Sequence, residues 1–209
     1  PPKITLRSMS CTLRQRLHYK KQKGITNIMK IGIVGLGLIG GSLAKAFKTN
    51  KDCTVYGTDK ASLSAQLAQL TESIDAELTD TLIPESDYIF LAVYPRAAVA
   101  WLEQYADKLA SETVVIDCCG TKEDVCKAGF ALSEKYGFTF VGGHPMAGLH
   151  YSGYKYSNKD MFKNATMVLV PRTYDDIAFL AHVKRLLMPA GFNEVTVTTA
   201  EKHDKMIAF

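Results

Sequence analysis

Short apolar runs alternate with longer segments of helical spacing along this 209-residue chain. Runs typical of strands lie at 30–35, 54–58, 88–93, 113–117, 138–141, 166–170 and 194–197. Segments whose apolar residues recur at helical intervals lie at 38–49, 60–70, 96–109, 122–135 and 174–188, and another helix is predicted to begin near 199. Continuous apolar runs indicate strands that are buried on both faces. The alternation therefore predicts an α/β fold with a doubly wound, mostly parallel sheet.

A glycine-rich turn joins the first predicted strand to the first helix, within the stretch KIGIVGLGLIGG at 30–41. Gly35, Gly37 and Gly40 fit the pattern G-x-G-x-x-G, whose glycines make a tight turn, admit a pyrophosphate to the backbone and bring helix close to strand. We expect the pyrophosphate on the N–H groups of Leu38 and Ile39, because a helix N-terminus favours an anion. These features predict a Rossmann-type dinucleotide-binding domain over 29–198.

Three further strand ends supply candidate cofactor contacts, since ligands of open α/β sheets bind at the carboxyl ends of the strands. Asp59 closes the second predicted strand, where a carboxylate accepts hydrogen bonds from the ribose hydroxyls and repels a 2′-phosphate. We therefore expect NAD as cofactor in preference to NADP, although the adjacent Lys60 weakens that preference. Val93 and Pro95 are predicted to border the nicotinamide ribose, and Gly120 lies at the next strand end.

Two histidines are candidates for acid–base chemistry. His144 follows the predicted strand 138–141 within GGHPMAG, where glycines and a proline fix the backbone and leave the imidazole accessible. A neutral imidazole, with a pKa near 6.5, accepts a hydroxyl proton while a hydride leaves the same carbon. His203 opens the last predicted helix, and we expect it to border the same cleft, with a structural role as the alternative.

Charge and cysteine content restrict the classes of partner. Residues 1–30 hold eight of the 25 Lys and Arg residues and no acid, which leaves the rest of the chain with a net charge of −4. Such a mildly acidic chain gives no reason to expect nucleic acid as partner.

No apolar run approaches the roughly 20 residues of a membrane span, and the five cysteines lack the spacing of a zinc site. We expect a cytoplasmic protein with reduced thiols, no metal and a small-molecule substrate. The basic leader 1–28 is predicted to be disordered or foreign to the folded protein.

Four motifs give the chain a family resemblance. GLGLIGGSLAKAF, DCCGTK, GGHPMAG followed by SGY, and EKHD occur in the order and spacing seen in prephenate dehydrogenases, from about Met29 to Phe209. The resemblance implies oxidative decarboxylation of prephenate to 4-hydroxyphenylpyruvate in tyrosine biosynthesis, with His144 as the catalytic histidine that hydrogen-bonds the ring hydroxyl. The alternatives are an arogenate dehydrogenase, a β-hydroxyacid dehydrogenase and a dinucleotide-sensing module without catalysis.

The chain departs from the family pattern at two positions. Many family members have Ser where this chain has Gly120, so we expect Thr121 to supply the second hydrogen bond to the substrate hydroxyl. His150 stands where the family often places an acid. The resemblance further implies that 199–209 begin a helical domain that binds the substrate carboxylate and forms most of a homodimer interface.

Overall fold

The computed structural model describes residues 28–208 of the chain. The expectations for the basic leader therefore concern residues that lie almost wholly outside the described part, as does Phe209. The strands are β1 Met29–Val34, β2 Cys53–Thr58, β3 Ala76–Glu77, β4 Tyr88–Leu91, β5 Val114–Asp117, β6 Thr139–Pro145, β7 Thr166–Val170 and β8 Glu194–Val197. The α-helices are α1 Leu38–Phe47, α2 Ser62–Leu70, α3 Pro95–Tyr105, α4 Glu123–Tyr136, α5 Ile177–Leu187 and α6 Ala200–Ile207.

These strands form one sheet in the order β3-β2-β1-β4-β5-β6-β7-β8. Neighbouring strands run parallel except for the antiparallel pair β6 and β7. The prediction of a doubly wound, mostly parallel α/β sheet is thus confirmed. Since β1 pairs with both β2 and β4, the strand order reverses at β1, which is the point where open α/β sheets bind ligands at the carboxyl ends of their strands.

Apolar cores cover both faces of the sheet. On one face Phe47 of α1 packs against Phe90 of β4, with ring centroids 5.4 Å apart, and Leu187 of α5 belongs to the same core. On the other face Leu102 of α3 and Phe140 of β6 belong to a second core that α4 helps to cover. The central strands are therefore buried on both sides, as their continuous apolar sequences indicate.

Two helix ends show how local sequence sets the boundaries. Pro95 is the first residue of α3, a position where its fixed φ suits the helix and its missing N–H costs nothing. Gly137 ends α4 in the left-handed conformation, with φ 93°, and its N–H donates to the carbonyl oxygen of Ser133. No helix within residues 28–208 combines the length and apolar character that crossing a membrane requires.

The prediction that strand six ends at Val141 is wrong. β6 continues through Pro145 because β7 pairs with it antiparallel, so that Gly142 faces Val170 and His144 faces Val168. The sequence prediction placed the two glycines after the strand, but the backbone hydrogen bonds of β7 keep this stretch extended. His144 therefore lies on a strand and not on a loop.

The polar segment 149–164 is anchored to the domain. Its Tyr154 is only 5% exposed, and the phenol oxygen lies 2.8 Å from Oγ of Ser73. Phe162, in the same segment, is fully buried and stacks on Phe192. Tyr154 and Phe162 thus hold this segment against the side of the sheet that α1 covers.

Candidate active site

The glycine-rich turn after β1 combines crowding with one open position. Gly35 has φ 90°, and a Cβ there would lie 2.5 Å from the carbonyl oxygen of Ala92. A Cβ on Gly40 would lie well inside 3.0 Å of the Gly35 carbonyl oxygen. A Cβ on Gly37, in contrast, would meet no atom within 4 Å among the described residues. Gly35 and Gly40 are therefore required by the fold, whereas Gly37 leaves space beside the backbone for a ligand.

The start of α1 is suited to an anion. The helix begins at Leu38, and its N-cap Gly37 offers no side-chain acceptor to the amides of the first turn. The N–H groups of Leu38 and Ile39 precede the first intrahelical donor, that of Gly41 to Gly37, and the helix dipole adds positive potential. Open space at Gly37 and unpaired amides are what the pyrophosphate of a dinucleotide needs. The residues present thus fit such a cofactor.

Asp59 lies directly after β2, beside the glycine-rich turn. Its Oδ2 accepts the N–H of Leu36 at 2.6 Å and its Oδ1 accepts the N–H of Ala61 at 2.8 Å. These bonds fix the carboxylate, while each oxygen keeps further lone pairs for a hydroxyl group. The predicted position of Asp59 near the turn is what the structure shows, but its bond to Leu36 had no sequence signal.

The residues that follow β4 and β5 lie at the same edge of the sheet as the glycine-rich turn. A Cβ on Gly35 would lie 2.5 Å from Cγ1 of Val93, which follows β4. The carbonyl oxygen of Val93 accepts the thiol of Cys119, after β5, at 3.3 Å. Gly120 and Thr121 follow and are exposed in the loop before α4. The structure thus brings the turn, Val93 and the loop after β5 together.

A chain of three polar side chains begins at His144. Its Nδ1 lies 2.8 Å from Nε2 of His203, and Nδ1 of His203 lies 2.7 Å from Oδ1 of Asp204. The two rings meet edge to face, with centroids 5.0 Å apart. His203 is only 3% exposed, whereas His144 is half-buried, so His203 stands behind His144 and does not itself line an open cleft.

A buried ion pair supports this chain of side chains. Lys122, which is fully buried, places its ammonium against a carboxylate oxygen of Asp117 and the carbonyl oxygen of Gly143. The N–H of Gly143 donates to the other oxygen of Asp117 at 3.1 Å. The backbone N–H groups of Lys122 and Glu123 donate to Asp204 at 2.8 and 2.9 Å. Lys122 therefore links β6, the strand that carries His144, to Asp204, the carboxylate at the other end of the row of three side chains.

Sequence analysis missed Lys122, Asp117 and Asp204. A weak signal existed in DCCGTK, where an acid ends a buried strand and a lysine follows five residues later. Asp204 stands beside His203 in EKHD, but nothing in the sequence shows that it caps α4, 81 residues earlier.

The surroundings of His144 disfavour its protonated form. Burial, the neighbouring His203 and the Lys122 ammonium lower the pKa of His144 to about 4, with Asp204 opposing the shift. Partial burial raises the pKa of Asp204, but hydrogen bonds from the Glu123 N–H, the His203 ring and the Lys122 N–H outweigh it and leave the pKa lowered. At neutral pH, then, His144 is uncharged and Asp204 is a carboxylate.

The cysteines near the site are not nucleophiles. Burial raises the pKa of Cys119 and of Cys126 to about 12, and it raises that of Cys118 well above the ordinary value. Because the thiolate is the reactive form, these thiols are inert at neutral pH.

Comparison with known proteins places these features in a family. Residues 43–195 match the family model described as prephenate dehydrogenase, nucleotide-binding domain. The prephenate dehydrogenase of Bacillus subtilis is 31% identical over 179 residues, which are 82% of this chain and 47% of that protein. The chain thus spans about half the length of the curated relatives it matches.

Two solved structures share the architecture. The arogenate dehydrogenase of Synechocystis has a TM-score of 0.77 and 29% identity, over 86% of this chain and 63% of that one. The prephenate dehydrogenase of Aquifex aeolicus, in complex with hydroxyphenyl propionate and NAD+, has a TM-score of 0.74 and 27% identity, over 85% of this chain and 62% of that one.

Proposed function

This chain belongs to the prephenate dehydrogenase family through its nucleotide-binding domain, and we propose that it serves NAD-dependent oxidative decarboxylation of prephenate to 4-hydroxyphenylpyruvate. The observation that carries the proposal is the neutral, half-buried His144, which lies near the carboxyl end of β6 in the same sheet whose β1 ends in a turn fitted to a dinucleotide. A base and a hydride acceptor are the two groups that oxidation of a ring carbinol requires.

His144 is proposed to take the proton of the ring hydroxyl. When bound, the nicotinamide supplies the acceptor for the hydride that leaves the same carbon. The carboxylate then departs as carbon dioxide, its bonding electrons enter the ring, and the proton returns to the oxygen of the phenol. Because aromatisation drives the reaction forward, the protein mainly has to orient the ring, hold the proton and exclude water. Thr121, exposed at the neighbouring loop, is proposed as a second hydrogen-bond partner of the hydroxyl.

The cofactor is proposed to lie along the carboxyl ends of the strands, starting at the glycine-rich turn after β1. Its pyrophosphate would lie on the N–H groups of Leu38 and Ile39, beside Gly37. Its adenine ribose would lie at Asp59, whose carboxylate accepts hydroxyl hydrogens and repels a 2′-phosphate, which favours NAD over NADP. The NAD+ in the structure of the Aquifex aeolicus relative supports this choice.

The nicotinamide end is proposed to lie past the loop after β4. Val93 and Pro95 would border the ribose there, and Gly120 would line the path toward His144. Val93 supports this order, because it contacts both Gly35 and the loop that contains Gly120.

Arogenate is the second candidate substrate, since the similar structure from Synechocystis is an arogenate dehydrogenase. The two substrates differ at the side chain, as a keto group or an amino group, and react at the same ring carbon. Residues 199–209 are proposed to begin the helical domain that grips the substrate carboxylate and forms a homodimer.

The test is reduction of NAD by protein expressed from the complete reading frame, followed by absorbance, with prephenate and arogenate offered separately. His144→Asn is expected to lower kcat by about 10²–10⁴-fold, which is the range that a general base contributes. The Kd for NAD, measured by titration calorimetry, is expected to stay within about twofold, because the proposed cofactor contacts follow β1, β2, β4 and β5, whereas His144 lies on β6.

Each outcome decides between the candidates. Faster turnover of prephenate supports the proposal, and faster turnover of arogenate replaces it with the second candidate. Absence of turnover with either substrate, in protein that binds NAD, refutes both. Full activity in His144→Asn would remove His144 from the chemistry.

A further inference from the structure

We propose that His203 and Asp204 are positioning residues, which fix the tautomer of His144 so that its Nε2 presents a lone pair to the substrate hydroxyl. This inference rests on the proposed function, in which His144 is the proton acceptor. It adds what an accessible imidazole alone does not provide, namely the choice of the ring nitrogen that carries the hydrogen.

The chain of hydrogen bonds has a fixed direction because it ends on a carboxylate. Asp204 receives three donors: the N–H groups of Lys122 and Glu123 and Nδ1 of His203. An ionised carboxylate only accepts hydrogen bonds. Nδ1 of His203, 2.7 Å away, must therefore carry a hydrogen.

The direction is then passed from one ring to the next. A neutral imidazole has one N–H, so Nε2 of His203 is an acceptor once its Nδ1 is the donor. Nε2 of His203 lies 2.8 Å from Nδ1 of His144, and that nitrogen must supply the hydrogen. In His144 the lone pair is left on Nε2, to which the structure gives no hydrogen-bond partner among the described residues. The opposite tautomer would point an N–H at the substrate and could not take its proton.

The surroundings keep these groups in place. His203 is nearly fully buried, and its helix α6 begins with a cap in which Thr199 accepts the N–H of Lys202 at 3.1 Å. Asp204 in turn supplies an acceptor to the first amides of α4. The side chain of Lys122 holds the carbonyl of Gly143, the residue before His144. Lys122 and the start of α4 therefore hold both ends of this chain of hydrogen bonds, at His144 and at Asp204.

The first experiment reads the tautomer directly, without activity. Protein from the complete reading frame is labelled with ¹⁵N-histidine, and two-bond ¹H–¹⁵N correlation spectra are recorded at pH 8, well above the lowered pKa of His144, about 4. The His144 signals are assigned by their loss in His144→Gln. We expect a protonated Nδ1 and an unprotonated Nε2. A protonated Nε2 on His144 in the unmodified protein overturns the proposal.

The second experiment uses Asp204→Asn, whose amide can donate to Nδ1 of His203 and reverse both tautomers. The comparable aspartate-to-asparagine change behind a catalytic histidine lowers kcat about 10⁴-fold in a serine protease. We expect at least about a 100-fold loss of kcat here, a small change in KM, and a His144 spectrum in which Nε2 becomes protonated. Glu201→Gln is the matched control, since it neutralises an exposed acid of the same helix that pairs with Lys205. It should change neither readout.

The outcomes separate this inference from the proposed function. The expected tautomer without turnover of either substrate refutes the function and leaves the positioning intact. Turnover together with an unchanged kcat and spectrum in Asp204→Asn refutes the positioning and leaves the function intact. If Asp204→Asn does not fold, the spectrum of the unmodified protein still decides.

Discussion

Separate replacement of Gly37 and Gly40 by alanine is expected to distinguish cofactor binding from folding. The two residues lie three positions apart in one turn, and alanine adds the same methyl group to each. At Gly37 that methyl group would enter open space, with no atom of the described residues within 4 Å. At Gly40 it would overlap the backbone carbonyl of Gly35.

The magnitudes follow from these surroundings. Overpacking costs about 1–3 kcal/mol, and Gly40→Ala should lie at the upper end because backbone cannot move aside as a side chain does. For a chain of this size, about 3 kcal/mol lowers Tm by roughly 6–12 °C. Gly37 has a negative φ of −77°, which alanine accepts, so Gly37→Ala should change the free energy of unfolding by no more than about 0.5 kcal/mol.

Cofactor binding should show the opposite sensitivity. The methyl group on Gly37 would occupy the space that the pyrophosphate needs to reach the amides of Leu38 and Ile39. Loss of one hydrogen bond to a charged group costs about 1.5–3 kcal/mol, which raises the Kd for NAD roughly tenfold to 150-fold. Calorimetry measures both quantities, the Tm by scanning and the Kd by titration. A Gly37→Ala variant that binds NAD as tightly as the unmodified protein would refute the proposed location of the pyrophosphate.

Three other changes test the remaining parts of the site. Asp59→Asn should reduce the preference for NAD over NADP about tenfold, because the charge that repels the 2′-phosphate is lost; an unchanged ratio of the two Kd values would contradict the assignment. The pKa of His144 is lowered to about 4, which keeps the ring unprotonated in mildly acidic solution. The value of kcat/KM should therefore stay level from pH 8 to about 5 and fall only below that. A pH profile of kcat/KM with its midpoint near 6.5 would disprove the shift. Lys122→Met should lower the free energy of unfolding, measured in urea titrations, by about 3–5 kcal/mol, since it leaves Asp117 buried and unpaired. Adding Asp117→Leu should recover much of this loss. A double variant as unstable as Lys122→Met would show that the unpaired carboxylate is not the cause of the destabilisation.

The alternation of apolar runs and helical spacing was enough to predict the fold, because strands buried on both faces leave a strong local signal. β3 escaped prediction since two residues, Ala76 and Glu77, are too short to show a period. The extension of β6 escaped for a different reason. Glycine is locally a poor strand former, and the backbone partner β7 lies more than 20 residues away in sequence.

The residues of the site likewise divide into those that a local sequence pattern marks and those that only the folded chain reveals. Gly35, Gly37, Gly40 and Asp59 follow from a pattern within about 20 residues, and the glycine and proline context marks His144. Lys122 could not be recognised, because a lysine is ordinarily exposed and only the folded chain shows Asp117 and Gly143 around it. Contacts that join distant segments carry no local sequence signal.

Asp204 caps α4 from a helix that follows the sheet, and this limits where the nucleotide-binding unit can be cut. The match to the family's nucleotide-binding domain ends at residue 195, but the groups proposed to orient His144 lie at His203 and Asp204. A chimera that joins this unit to a relative's following domain at residue 195 would take these two groups from the foreign chain. On this proposal the exchangeable module extends through the first turns of α6, and recombination between relatives keeps the hydrogen bonds behind His144 within one parent only when the junction falls after Asp204.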